Sequence, residues 1–225
     1  MSEGELETFA TTVEEVLAIV HDEQLLYDYT SEQSWMNPQY NEFITDLPFE
    51  HIENCVKAEI ENLQFFLAQD ESIEVKMEHI GSTAVPRMPG TKNPDILMTL
   101  KNFPPNKETI KALMISGYQL KEKPNKGPKF RYTSCLWFVK YVACGPLALV
   151  GQFIKIHIAE MGSETEKKLL GVKYLLLNNE TAFEKYKDGK MKASKWLKIN
   201  YKKYKFLKAQ CLPKVTEELG IAQNL

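Results

Sequence analysis

The sequence predicts an α/β (α+β) protein: a short mixed β-sheet flanked by helices, with an N-terminal helical extension. Three observations carry this prediction. Residues 73–80 and 152–159 alternate between apolar and polar side chains, the period of a strand. Around them, apolar residues recur at three- and four-residue steps, the period of a helix with one buried stripe. A length of 225 residues is also enough for one sizeable core and an appended helical segment.

Taken in order, Leu6, Phe9, Val13, Val16, Leu17 and Val20 put an amphipathic helix between Glu5 and about Tyr29. An aromatic, turn-rich connection with Trp35, Pro38, Tyr40 and Phe43 follows. Residues 1–48 are read as the extension and 49–225 as the main domain. Asp46-Leu47-Pro48 opens the next helix, because proline suits a first turn whose N–H groups lack partners anyway. Ile52, Val56, Ile60, Leu63, Phe66 and Leu67 form its expected buried stripe to about Ala68.

Strand 73–80 leads through Gly81-Ser82 and a proline-punctuated loop to a second strand, 95–100. A short helix over 107–116 is closed by Gly117, and a Gly/Pro/Lys-rich loop covers 121–129. Residues 130–143 and 149–159 read as strands joined through Cys144-Gly145-Pro146. In the second, Ile154, Ile156 and Ile158 share one face, and Lys155, His157 and Ala159 the other. Beyond Gly162 the chain is helical, with N-cap character at Ser163, a helix to Asn178 and further helices over 180–208. An interruption is expected near Asp188-Gly189, and a last helix precedes Gly220.

Composition excludes several classes. The longest apolar region, 136–158, is broken by Lys140, Gly145-Pro146 and Lys155, so no membrane span is expected. The first residues include Ser2, Glu3 and Glu5 instead of a basic-then-apolar leader. Four scattered cysteines without a Cys-x-x-Cys pair point away from zinc and from a disulfide framework, toward a cytoplasmic protein. Charge is polarised: residues 1–78 hold 19 acidic and two basic side chains, whereas the remainder holds 26 basic and 11 acidic ones. Such polarity is expected to draw the two parts of one fold together.

The chemistry concentrates at 77–98. A glycine-serine turn offers backbone amides and a hydroxyl to phosphate oxygens, and a carboxylate on the neighbouring strand can hold the Mg²⁺ that accompanies them. Asp95 is otherwise a turn-capping aspartate, and Gly81-Ser82 otherwise a plain turn.

Glu78-His79-Ile80-Gly81-Ser82-Thr83-Ala84-Val85-Pro86, followed by the Asp95-led apolar strand, resembles the GrpB-like family, a branch of the nucleotidyltransferase fold. The resemblance covers about 49–219. It implies a nucleotidyltransferase-like sheet and an enzyme that binds a nucleotide or other phosphorylated small molecule. Gly81, Ser82 and Thr83 would contact phosphate, Asp95 would hold Mg²⁺, and a nucleoside triphosphate is the candidate substrate.

In the wider superfamily a second acid lies two residues after the first, on the same face of the strand. Here that place is Leu97, so Glu78 is the candidate replacement ligand and proton carrier. His157, in an apolar-His-apolar context, is the candidate base. Arg87 and Lys92 stand where the family's loop differs, as candidate phosphate contacts. Lys190 keeps a Tyr-x-x-x-Lys spacing with Tyr186 and is a further candidate. The family's Phe-Arg-Asp-Tyr-Leu-Arg run survives only as Tyr174 and Leu175.

Two alternatives stay open. One is a catalytically silent nucleotide- or partner-binding module. The less favoured one is an RNA-binding protein using Lys185–Lys208, where ten lysines interleave with Tyr186, Trp196, Tyr201, Tyr204 and Phe206. At helical spacing, Trp196, Tyr204 and Leu207 are more simply core anchors with lysines on the wet face.

Overall fold

The computed structural model describes residues 43–46, 48–68, 73–120, 135–141 and 153–218. The readings for 5–29, for most of the aromatic connection, for loop 121–129 and for the Cys144-Gly145-Pro146 link lie outside the described residues. Seven strands are described: β1 (Phe43–Ile44), β2 (Val75–Ile80), β3 (Gly90–Thr91), β4 (Asp95–Leu100), β5 (Gln119–Leu120), β6 (Leu136–Tyr141) and β7 (Phe153–Glu160). Five α-helices accompany them: α1 (Phe49–Leu67), α2 (Lys107–Ile115), α3 (Glu164–Asn178), α4 (Glu180–Ser194) and α5 (Tyr201–Glu218).

The main sheet has the order β2-β4-β7-β6-β5, with β4 and β7 parallel and the other neighbours antiparallel. It is the mixed α/β architecture the pattern predicted. Alternation then decides what each face carries. Ile96, Met98 and Leu100 of β4 join Ile154, Ile156 and Ile158 of β7 and Leu136 and Phe138 of β6. These side chains bury against Ile52, Val56, Leu63 and Leu67 of α1 and Ile110 and Leu113 of α2. Full burial of each such side chain stabilises the fold by about 1.5–3 kcal/mol.

The opposite face is lined by Ile80, Leu97 and Ala159, packed on Leu169 and Leu170 of α3. Beyond it, Val85 and Met88 of the loop meet Leu176, Ala182, Phe183 and Tyr186 of α3 and α4. Ala193, Leu197 and Tyr204 close the helical layer, with Phe43, Trp196 and Leu207 against them. The expected core anchors Trp196, Tyr204 and Leu207 therefore sit where their spacing put them.

Local chemistry fixes the helix ends. The Asn106 side chain accepts from the Thr109 N–H at 2.8 Å, and that of Ser163 from the Glu166 N–H at 3.3 Å. After α2, Gly117 adopts φ 87°, a left-handed turn that costs glycine little.

Two expectations need correction. Helix α1 buries Cys55 and Glu59, whereas Ile60 and Phe66 are only half-buried, so its stripe is turned from the predicted one. Helix α4 runs unbroken through Asp188-Gly189, and the interruption falls at 195–200. Gly189 is a contact surface here: an added Cβ would lie 2.7 Å from Cys211 Sγ of α5. Phe43 and Ile44, near the end of the expected extension, pair with Thr91 and Gly90.

Candidate functional site

The site forms on the helix-covered face bearing Leu97, where β2, β4 and β7 present side chains together. Antiparallel pairing sets Ile80 opposite Asp95 and Glu78 opposite Leu97. Parallel pairing sets Lys155 beside Asp95 and His157 beside Leu97. Pairing residues share a face, so Glu78, Asp95, Lys155 and His157 come to one surface.

Gly81 joins the turn to the carboxylate. Its φ of 74° and ψ of −166° lie outside the range an L side chain adopts readily. A Cβ there would also come within 2.9 Å of Asp95 Oδ2. Glycine is needed on both counts. Ser82–Ala84 then form a single 3-10 turn, closed by the Ala84 N–H donating to Gly81 O at 3.3 Å. Ser82 is half-buried and its hydroxyl has no partner among the described residues. Thr83 is buried, and its Oγ1 lies 2.9 Å from His79 Nε2. Burial and the nearby Lys173 push His79 down to about 4 against the opposing pull of Asp95, so the imidazole is neutral at pH 7.

Asp95 divides its oxygens. Oδ2 faces Gly81, while Oδ1 lies 3.2 Å from His157 Nε2 and 3.5 Å from Lys155 Nζ. Burial opposes the carboxylate charge. Lys155, the His157 hydrogen bond and Lys208 outweigh it and hold the carboxyl well below its usual range. Lys208 of α5 is half-buried, and burial together with Lys155 lowers its pKa while Asp95 raises it. Lys190 of α4 is wholly buried and donates to the carbonyl of Pro89. Its pKa falls well below the lysine value through burial and the proximity of Lys208. Trp137 flanks the group from β6, its ring 6.0 Å from that of His157 and edge-on to it.

The other expected residues lie differently. Glu78 is engaged by Lys173 Nζ at 2.7 Å and the Tyr174 hydroxyl at 3.2 Å. Arg87 is exposed at φ 62°, paired with Glu180 at 3.1 Å and stacked over the Phe183 ring at 4.9 Å. Lys92 is half-buried on the loop between β3 and β4. Gly81, Ser82, Asp95 and His157 are thus brought together with Lys190 at the margin, while Arg87 points to a partner of its own.

The two expected magnesium ligands, Asp95 and Glu78, are each engaged by protein cations. Mg²⁺ favours oxygen ligands at octahedral positions, and lysine ammonium groups compete for the same oxygens. Asp95 is already shared between an ammonium and an imidazole, and Glu78 is held by Lys173 and Tyr174. Leu97, in the second acid's place, is 2% exposed beneath α3. Among the described residues no three His, Cys, Asp or Glu side chains group as metal ligands.

Two members of this site escaped the sequence reading. Lys155 was legible, because it shares a face with His157 two residues on. Lys208 was not, since it arrives from α5 through helix packing alone.

The GrpB protein family matches residues 48–218. The chain belongs to the GrpB family. Conserved protein GrpB from Enterococcus faecalis has a similar fold, with a TM-score of 0.54 and 20% identity over 77% of this chain and 98% of that one. A mutant Cid1 poly(U) polymerase bound to MgATP aligns with a TM-score of 0.34 and 11% identity, over 70% of this chain and 48% of that one. That second likeness is too loose to carry an argument. No curated protein matches the chain. The GrpB match spans the site entirely: strands β2 to β7 and all five helices fall within it. Among the described residues no helix is long and apolar enough to cross a membrane.

Proposed function

We propose that this GrpB-family protein binds a nucleotide or other phosphorylated small molecule at Gly81-Ser82 and acts on it as a nucleotidyltransferase-like enzyme. The observation that carries the reading is the close approach of Gly81 to Asp95, which joins the glycine-serine turn to a carboxylate flanked by Lys155 and His157. The Ser82 hydroxyl, without a partner among the described residues, is a donor for a phosphate oxygen. His157 supplies the proton chemistry: a hydrogen bond from Nε2 to Asp95 orients the ring and leaves Nδ1 as the accepting nitrogen. Asp95 would stabilise the imidazolium that forms. No step requires a metal held by the protein.

A specific observation favours a second reading, a binding module without turnover. The place of the second acid is filled by buried Leu97, and Glu78 is engaged elsewhere.

The test is thermal stabilisation by a panel of nucleotides and phosphorylated metabolites, with turnover assayed on the ligands that bind. A ligand that binds only the folded state raises the melting midpoint by mass action. The enzyme reading expects a shift that Ser82→Ala reduces and a turnover that His157→Asn abolishes. Binding without turnover selects the module. No shift with any compound sinks both readings and leaves the lysine-rich helices and RNA as the next subject.

A further inference from the structure

We infer that the phosphate group of the ligand is bound directly by Lys155 and Lys208, with Asp95 as their resident counter-ion and no divalent cation between them. The inference rests on the phosphate-binding reading of the same site and names how the phosphate is held. It begins from a charge count. Lys155 of β7 lies 3.5 Å from Asp95, and Lys208 of α5 acts electrostatically on both, so one carboxylate answers to two lysines. Glu78 does not redress the balance, because Lys173 neutralises it at 2.7 Å. Lys208 has no carboxylate within ion-pair distance among the described residues, and its electrostatic neighbours include Lys155 as well as Asp95.

Placing like charges together in a half-buried site costs stability unless an anion enters. A phosphate dianion supplies that charge. A divalent cation does the reverse: it would add positive charge beside two ammonium groups and would have to take Asp95 from Lys155 and His157. The arrangement is also held firmly in place. Lys155 is fixed by the β4–β7 ladder, and α5 lies so close to α4 at Gly189 that Lys208, one turn before Cys211, has a defined position. Asp95 keeps the lysines apart in the absence of ligand and yields them when phosphate arrives.

This role gives Asp95 a signature opposite to that of a metal ligand. A counter-ion competes with the bound phosphate, so removing its charge strengthens binding. A metal ligand assists binding, so removing it abolishes binding.

The experiment is calorimetric titration of the full chain with inorganic pyrophosphate and with ATP, in EDTA and again with excess Mg²⁺ at matched ionic strength. The forms compared are wild type, Asp95→Asn and Lys208→Met, each checked for native circular dichroism. The expected result is binding in EDTA that Mg²⁺ does not improve. Asp95→Asn should bind about tenfold more tightly and Lys208→Met about tenfold more weakly, the size expected for removing one interacting charge in a partly exposed site.

Binding that needs Mg²⁺ and disappears in Asp95→Asn overturns the counter-ion role while leaving the phosphate-binding reading standing. Failure of every probe with every form, in both conditions, overturns that reading as well. Should Asp95→Asn not fold, the magnesium dependence of wild type and the loss in Lys208→Met still decide the matter.

Discussion

The two faces of the sheet each bury a charged group, and they treat charge in opposite ways. On the α1–α2 face, Glu59 is 4% exposed and accepts from Lys140 Nζ at 2.9 and 3.2 Å and from the Tyr118 hydroxyl at 2.9 Å. One carboxylate meets one ammonium and one phenol, and Lys140 also lies over the Tyr118 ring at 5.4 Å. The charges balance, and every donor near the carboxylate is used. On the opposite face, Asp95 is 22% exposed, with Lys155 at 3.5 Å, His157 at 3.2 Å and Lys208 acting on it electrostatically. The first arrangement is a closed structural network. The second is less closed, and it is the one to which the proposed phosphate would bring a balancing anion. A buried charge speaks for function when its neighbourhood fails to balance, not merely because it is buried.

The comparison breaks most visibly at Glu59. Glu59→Ala strands Lys140 in the interior and should cost about 3–5 kcal/mol, the usual result of removing one member of a buried pair. Urea unfolding measures it directly. A Glu59→Leu/Lys140→Met pair should recover much of the loss, because it removes both charges together. If Glu59→Ala melts like wild type, the closed-network description is wrong.

Gly189→Ala tests the packing that delivers Lys208. Alanine favours a helix over glycine by about 1 kcal/mol, yet overpacking against the Cys211 side chain costs about 1–3 kcal/mol. The net effect should be a lower melting midpoint together with weaker pyrophosphate binding. A raised midpoint would mean that α5 retreats without cost.

Asp95→Asn sharpens the contrast with Glu59. The partners of Asp95 outweigh the cost of burying its charge, so stability should fall, but at 22% exposure water screens much of that loss. A stability change within about 1 kcal/mol is expected, far below that for Glu59. Added phosphate should raise the midpoint of this variant by more than it raises that of wild type.

The smallest effect concerns pH. His79 is pushed down to about 4 in the folded protein by burial and Lys173, against about 6.5 when unfolded. Above pH 6.5 neither state is protonated, and the His79 contribution is complete. As pH falls toward 4 the unfolded chain takes up the proton first, so stability declines through that window. In His79→Gln the midpoint-versus-pH curve should be flatter between 6.5 and 4, and an unchanged slope would show that His79 is not the group responsible.

Much of this was legible in the sequence, for identifiable reasons. Strand β4 starts and ends where its apolar run does, and Gly81-Ser82 meets Asp95 as a strand–turn–strand pattern requires. The β7 alternation correctly sorted Ile154, Ile156 and Ile158 from Lys155 and His157. What failed were features fixed by distant contacts. Gly189 reads as a breaker locally, but in three dimensions it is the place where α5 comes close. Glu59 looks like a wet-face acid until Lys140 and Tyr118, more than fifty residues away, arrive to satisfy it. Lys208 is one lysine among ten in its stretch, and only the α4–α5 contact selects it.

The bond from buried Lys190 to the Pro89 carbonyl also has a mechanical meaning. Pro89 immediately precedes β3, whose Gly90 and Thr91 pair with Ile44 and Phe43, and Phe43 in turn packs among residues of α4 and α5 and the turn between them. The loop between the glycine turn and β4 is therefore harnessed at both its inner and outer edges to the helical layer. It cannot swing free as a flap.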